Sequence, residues 1–150
     1  MPNQVVKDFS LQGTGGPFKL SALKSKYLVV YFYPKDNTPG CTTEGMQFGQ
    51  LYKDFQKTGC ELVGVSRDSV KSHTNFKTRQ AFPFELLSDE DEAVCTQFAV
   101  IKMKNMYGKQ VRGIVRSTFV LDDKRAILRE WRGLKVPGHA QEVLDFVKTL

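Results

Sequence analysis

Closely spaced cysteines are missing from this 150-residue chain. Its three cysteines, Cys41, Cys60 and Cys95, are widely separated, which excludes a Cys-x-x-Cys exchange site and argues against a secreted disulfide framework. Only two histidines accompany them, His73 and His139, and together these residues match no metal-ligand spacing, so no metal and no cofactor is expected. No apolar run approaches the roughly 20 residues needed to cross a bilayer. Met1-Pro2-Asn3-Gln4 lacks the basic-then-apolar layout of a signal segment. The expectation is a cytoplasmic protein with reduced thiols and no membrane partner. Internal repeats, low-complexity linkers and composition breaks are absent too, so residues 1–150 are expected to form one domain with a sizeable core.

Charge is not scarce, but it is unbalanced: the net charge is +6 and the pI about 9.3. Lys53, Lys71, Lys102, Lys109 and Lys124 are scattered rather than blocked. A solvated basic surface is therefore expected in place of a nucleic-acid site. The single tryptophan, Trp131, and the run Phe82 to Phe84 read as core or pocket rim and not as a base-stacking platform. His73 and His139 lie among polar or turn residues and are expected to be solvated and uninvolved in catalysis.

What the chain does have is a buried strand feeding a helix. Tyr27-Leu28-Val29-Val30-Tyr31-Phe32-Tyr33 is a continuous apolar, β-branched run, the pattern of a strand covered on both faces. After Cys41, residues Met46, Phe48, Leu51, Tyr52 and Phe55 recur at helical spacing. Val5 to Leu11 and Phe18 to Leu20 flank Gly13-Thr14-Gly15-Gly16-Pro17 and predict an N-terminal hairpin, with a short helical turn at Ser21-Ala22-Leu23. Gly59 stops the long helix, Glu61 to Ser66 forms a second buried strand, and Ser69 caps a helix to about Gln80. Ser88 is expected to cap a further helix through Asp89-Glu90-Asp91-Glu92. Gly113 to Arg116 leads into a strand at Ser117 to Leu121, Ile127 to Trp131 returns, and Pro137-Gly138 opens a last helix packed through Val143, Leu144, Phe146, Val147 and Leu150. This order predicts an α/β fold with a central mixed β-sheet flanked by helices and an N-terminal β-hairpin extension.

The strand-to-helix corner, Pro34-Lys35-Asp36-Asn37-Thr38-Pro39-Gly40-Cys41, is where chemistry is expected. Thr38 suits an N-cap, Pro39 the first helical position, and Gly40 a close backbone approach. Cys41 then falls in the first helical turn, where unpaired N–H groups and the positive end of the helix dipole favour an anion. A thiolate, not a thiol, is the nucleophilic form of cysteine. The competing interpretation is a small apolar residue filling a helix start.

Pro34-x-x-x-Thr38-x-x-Cys41 resembles the active-site motif of peroxiredoxins, and Phe32 to Thr42 is similar to the Q-type, or bacterioferritin comigratory, branch. The likeness continues through Gly64-Val65-Ser66-Arg67-Asp68-Ser69, Phe82-Pro83-Phe84, Leu86-Leu87-Ser88-Asp89 and Arg116-Ser117-Thr118-Phe119-Val120, and so covers essentially the whole chain. It implies a thioredoxin-like fold and a thiol-dependent peroxidase acting on hydrogen peroxide or organic hydroperoxides. Cys41 would be the peroxidatic nucleophile, passing through a sulfenic acid. The Thr38 hydroxyl and the Cys41 backbone N–H would hydrogen-bond the peroxide, Pro34 would wall the pocket, and Arg116 would stabilise the thiolate and the developing oxyanion. Glu44 matches an acidic position of the family, although a carboxylate compensating the helix dipole explains it equally well.

The departure lies in the second thiol. Q-type members that resolve internally tend to carry a cysteine at positions equivalent to Met46 or Lys77, and neither residue can form a disulfide. Cys60, at a strand start, reads as inert core, and Cys95 lies outside the usual resolving positions. The expected cycle therefore uses one cysteine and an external thiol from thioredoxin, glutaredoxin or glutathione. A two-cysteine cycle through Cys95 and a non-catalytic thioredoxin-like binding module remain alternatives. Two other classes lack their residues: a disulfide oxidoreductase would need a cysteine at position 44, which is Glu, and a cysteine phosphatase an arginine at position 47, which is Gln. The branch resemblance implies a monomer.

Overall fold

The computed structural model describes residues 4–150, the side chain of Met106 excepted; Met1-Pro2-Asn3, read above for a signal segment, lie outside the described residues. In chain order the strands are β1 (Ser10–Gly13), β2 (Gly16–Lys19), β3 (Tyr27–Phe32), β4 (Cys60–Ser66), β5 (Glu85–Ser88), β6 (Ile101–Met106), β7 (Lys109–Ile114), β8 (Ser117–Asp122) and β9 (Ile127–Arg132). The helices are α1 (Pro39–Lys57), α2 (Val70–Gln80), α3 (Ala93–Gln97) and α4 (His139–Lys148). Seven strands form one mixed sheet in the order β2-β1-β5-β4-β3-β8-β9, and β6 and β7 form a separate two-stranded ribbon.

β3, β4 and β5 run parallel, while β8 pairs antiparallel with β3 and β9 with β8. The apolar run of β3 is needed because both of its faces are covered. Val29, Tyr31 and the following Tyr33 enter a core shared with α1, α2 and α4. Leu28, Val30 and Phe32 enter a second core with Val94, Cys95 and Phe98 on the opposite face. The crossovers β3-α1-β4 and β4-α2-β5 bring α1 and α2 into one core on the same face of the sheet, the arrangement that the usual right-handedness of parallel connections dictates.

The N-terminal hairpin forms, with a tighter turn than the glycine-rich stretch suggested: Gly13 pairs with Gly16 across Thr14-Gly15. Gly59 and Ser69 act as expected, with Gly59 at φ +78° and the Ser69 side chain accepting from the Ser72 N–H. Ser88 does not cap a helix. It ends β5, and its hydroxyl donates to the Asp68 carbonyl at 2.6 Å. The buried Asp89 carboxylate takes over that role, accepting from the N–H groups of Val94 at 3.1 Å and Cys95 at 2.6 Å. Leu150 lies beyond α4 and is exposed.

Both histidines were expected in solvent and both are buried. His73 shares the inward face of α2 with Phe76, three residues on, a spacing that outweighs its polar neighbours. His139 opens α4, exchanges a 2.8 Å hydrogen bond with Thr118 and meets the rings of Phe48 and Trp131 edge-on. Burial lowers its pKa, with nearby Glu142 working in the other direction. Trp131 is a half-buried core residue, and Phe82 and Phe84 are fully enclosed.

Candidate active site

Cys41 is the third residue of α1, with Pro39 at the first helical position and Thr38 at the N-cap. The first N–H groups of a helix have no partners of their own, so this turn presents donors and a partial positive charge. The Thr38 side chain makes no capping bond. Its hydroxyl instead donates to the Lys35 carbonyl at 2.8 Å. With its proton so used, the Thr38 oxygen keeps its lone pairs to accept from an incoming O–H. Pro34 is half-buried at the start of the loop.

β8 pairs antiparallel with β3, so the residue just before it lies beside the end of β3 at which Cys41 emerges. That residue is Arg116. Its Nη2 donates to Cys41 Sγ at 3.4 Å and its Nη1 to Glu44 Oε1 at 2.6 Å. One guanidinium thus bridges the sulfur and a carboxylate one turn further along α1. Gly40 permits the approach, because a Cβ there would lie 3.1 Å from Nη2.

The Glu44 side chain is 2% exposed and that of Arg116 18%. Burial pushes the Glu44 pKa up to about 7 even though the Arg116 charge and hydrogen bond pull it down. Arg116 moves up despite its own burial, because Glu44 and Cys41 both favour its charge. Glu44 is accordingly part of the site, not a surface carboxylate. Its Oε2 is buried with no hydrogen-bond partner among the described residues.

A second polar cluster, absent from the sequence reading, fixes the loop from below. Asp36, within the motif, is buried; its Oδ1 accepts from the Tyr33 hydroxyl at 2.6 Å and its Oδ2 from Ser72 at 2.8 Å. His73 meets the same carboxylate through Nδ1 at 2.8 Å and the Leu87 carbonyl through Nε2 at 2.9 Å. The Asp36 N–H donates to Asp68 at 3.0 Å. Asp36, Asp68 and His73 bring three potential metal-ligating atoms within 4.8 Å. Each of those atoms already has a protein partner, which makes the cluster a hydrogen-bonded clamp rather than an ion cage. Only the helical spacing of His73 and Phe76 could have signalled it.

The remaining thiols are not brought to Cys41. Cys60 pairs in register with Tyr27, at the opposite end of β3, which at about 3.3 Å per residue is some 20 Å away. Burial pushes its thiol up to about 12. Cys95 lies in the core on the other face of the sheet, where burial and Asp89 push its pKa well above that of a free thiol. Met46 is about half exposed, and Lys77 pairs with Glu85 at 3.0 Å. A groove of about 370 Å³ between Val5–Lys7 and α3 lies on the Cys95 side and contains none of the residues around Cys41.

The AhpC/TSA family model matches residues 2–130. Peroxiredoxin Bcp of Xanthomonas campestris is 55% identical over 94% of this chain and 89% of its own length. Peroxiredoxin Bcp of Bacillus subtilis is 42% identical over 98% and 94%. A solved structure of the Xanthomonas bacterioferritin comigratory protein, described in terms of its alkyl peroxide reduction activity, superposes with a TM-score of 0.89 at 54% identity, covering 94% of this chain and 90% of that one. The sheet and helices are those of the thioredoxin-like peroxiredoxins. With a cysteine at a helix start, an arginine on its sulfur and relatives of this identity over nearly the full length, the chain belongs to the AhpC/TSA family, in its Q-type, bacterioferritin-comigratory branch of peroxiredoxins.

Proposed function

We propose that Cys41 is the peroxidatic cysteine of a thiol-dependent peroxidase that reduces hydrogen peroxide and organic hydroperoxides. The observation that carries this reading is the Arg116 guanidinium 3.4 Å from Cys41 Sγ, at the N-terminal turn of α1 where the helix also favours an anion. The thiolate attacks one peroxide oxygen in line with the O–O bond. A sulfur–oxygen bond forms as the O–O bond breaks, the sulfur is oxidised to sulfenic acid, and the leaving oxygen departs as water or alcohol after taking a proton. Thr38 accepts a hydrogen bond from the peroxide hydroxyl. The Cys41 N–H and Arg116 hold the charge that develops on the reacting oxygens. Pro34 walls the pocket, and Glu44 keeps the guanidinium aimed at the sulfur. The alkyl peroxide reduction attributed to the Xanthomonas relative supports including organic hydroperoxides.

The cycle uses one cysteine. Cys95 faces the opposite core and Cys60 the far end of the strands, so neither meets the sulfenic acid without unpacking the sheet. An external thiol from thioredoxin, glutaredoxin or glutathione forms a mixed disulfide with Cys41 and expels water. A second thiol then releases the enzyme. A cytoplasmic monomer is part of the same proposal.

Peroxide consumption with thioredoxin, glutaredoxin plus glutathione, or dithiothreitol tests the reading. Cys41→Ser abolishes turnover, whereas Cys60→Ser and Cys95→Ser retain it. Loss of turnover in Cys95→Ser, together with a Cys41–Cys95 disulfide in peroxide-treated wild type, would replace it with the two-cysteine cycle. Peroxide consumption no faster than by free cysteine would leave a binding module.

A further inference from the structure

The sequence presents its basic residues as scattered, yet one stretch carries almost all of the excess. Residues 93–121 contain Lys102, Lys104, Lys109, Arg112 and Arg116 and no acidic residue, which amounts to five of the six net positive charges. Four of those five lie on the β6–β7 ribbon, where Arg112 is paired with Glu92 at 2.8 Å and the three lysines have no acidic partner among the described residues.

The ribbon stands on the rim of the sheet where Cys41 opens. Its base is held by the Val115 N–H donating to the Val100 carbonyl at 2.7 Å and by Arg67, just past the end of β4, reaching the Arg112 carbonyl at 3.4 Å. Two residues after β7 comes Arg116, whose guanidinium touches the Cys41 sulfur. From base to tip the ribbon moves out of the core: Ile114 is fully buried, Met103 and Val111 are 58% and 41% exposed, and Tyr107 is 100% exposed. Cross-strand register puts Lys102, Lys104, Val111 and Lys109 on one face, and Met103 with Arg112 on the other. Lys102 and Lys109 form no ion pair with a described residue, although Lys104 is tied to the Ile114 carbonyl at 2.7 Å.

The tip adds an independent observation. Tyr107 and Gly108 make the two-residue turn with φ +53° and +78°. Asn or Asp is the ordinary choice at the first of these positions. A bulky aromatic held at positive φ, with its whole side chain in water, gains nothing from this chain's own packing. An exposed tyrosine is the kind of side chain that anchors protein interfaces, and lysines without ion pairs beside it are suited to steering a partner of opposite charge.

We propose that the β6–β7 ribbon is the docking arm for a protein reductant with an acidic surface. The proposal rests on the peroxidase reading above, because a reductant must bring its thiol onto Cys41 and so must sit over this rim. Lysines would steer it and set its register, while Tyr107 at the tip and Val111 on the lysine face would supply the apolar contact. An acidic protein is favoured over a nucleic acid because exposed apolar side chains interleave the lysines.

The test uses the full chain with Lys102→Glu/Lys109→Glu and, separately, Tyr107→Asn, each checked by thermal melt. Thioredoxin and glutaredoxin are the probes, with dithiothreitol in parallel. For whichever protein reductant supports wild-type turnover, kcat/KM falls about 10-fold or more in the charge variant, and its salt dependence flattens. Sulfenic acid formation by hydrogen peroxide and turnover with dithiothreitol stay unchanged. An unaltered kcat/KM with the protein reductants overturns the proposal, and so does an equal loss with dithiothreitol. Salt-sensitive binding of duplex DNA by the wild type, lost in the variant while reductant kinetics are unaffected, would also overturn it in favour of a polyanion site. Failure of the peroxidase reading looks different: wild-type Cys41 would then form no sulfenic acid at all.

Discussion

Replacing Arg116 by Ala perturbs two things that the structure separates. The first is stability. Glu44 sits almost fully enclosed, with a pKa raised by burial to about 7. Because that value exceeds the ordinary 4.5, the folded protein holds a proton that the unfolded chain has released, and stability falls as pH rises from about 4.5 towards 7. Removing the guanidinium pushes the Glu44 pKa higher still and extends that loss upward. At pH 5.5 Glu44 is mostly protonated with or without its partner, so the variant forfeits chiefly a hydrogen bond, about 1 kcal/mol. At pH 8 the carboxylate has lost its buried counter-charge. A fully buried pair would cost about 3–5 kcal/mol to break, and the 18% exposure of the Arg116 side chain reduces the expectation to about 2–3 kcal/mol. Urea melts followed by the fluorescence of Trp131, the single tryptophan, read both values.

The second effect is chemical. Without Arg116 the thiolate and the developing oxyanion lose a charged donor, and sulfenic acid formation slows by about 10²–10³-fold. Adding Glu44→Gln to the Arg116→Ala background removes the uncompensated carboxylate. It recovers most of the pH 8 stability deficit and none of the rate. Equal stability deficits at the two pH values, or recovery of the oxidation rate in the double variant, would refute this assignment of roles.

Two further outcomes follow from the same geometry. His73→Asn strands the Leu87 carbonyl and takes one bond from Asp36, so stability in urea falls by about 1–3 kcal/mol and oxidation of Cys41 slows severalfold as the loop loosens; unchanged melting and oxidation would refute the clamp. Cys60 and Cys95 are buried with raised pKa values, so iodoacetamide at pH 8 alkylates neither until the protein is denatured; rapid native labelling of either would contradict their placement.

Much of the site could be read from local chemistry. The apolar continuity of Tyr27 to Tyr33 and the Thr38-Pro39-Gly40 start rest on short-range patterns, whereas Arg116, by itself only a charged residue before a strand, was marked by the family resemblance; the folded chain brings Cys41, Arg116 and Glu44 together. What escaped depends on long-range packing. β5 is only four residues, Glu85–Ser88, too short for periodicity to register, and it becomes a strand because β4 and β1 offer partners on either side. Residues 101–114 have little apolar alternation because the ribbon covers no core along most of its length, so their pairing is hidden from a pattern search. The clamp is invisible for another reason: Asp36 and His73 are 37 residues apart, and only the crossover of α2 onto the β3 side unites them.

Trapping the oxidised sulfur tests the central claim most directly. After a single equivalent of hydrogen peroxide, a sulfenic-acid-specific probe followed by peptide mass spectrometry should place the adduct on Cys41, with stopped-flow formation orders of magnitude faster than for free cysteine. An adduct on Cys60 or Cys95, or a wild-type rate equal to that of free cysteine, would contradict the account.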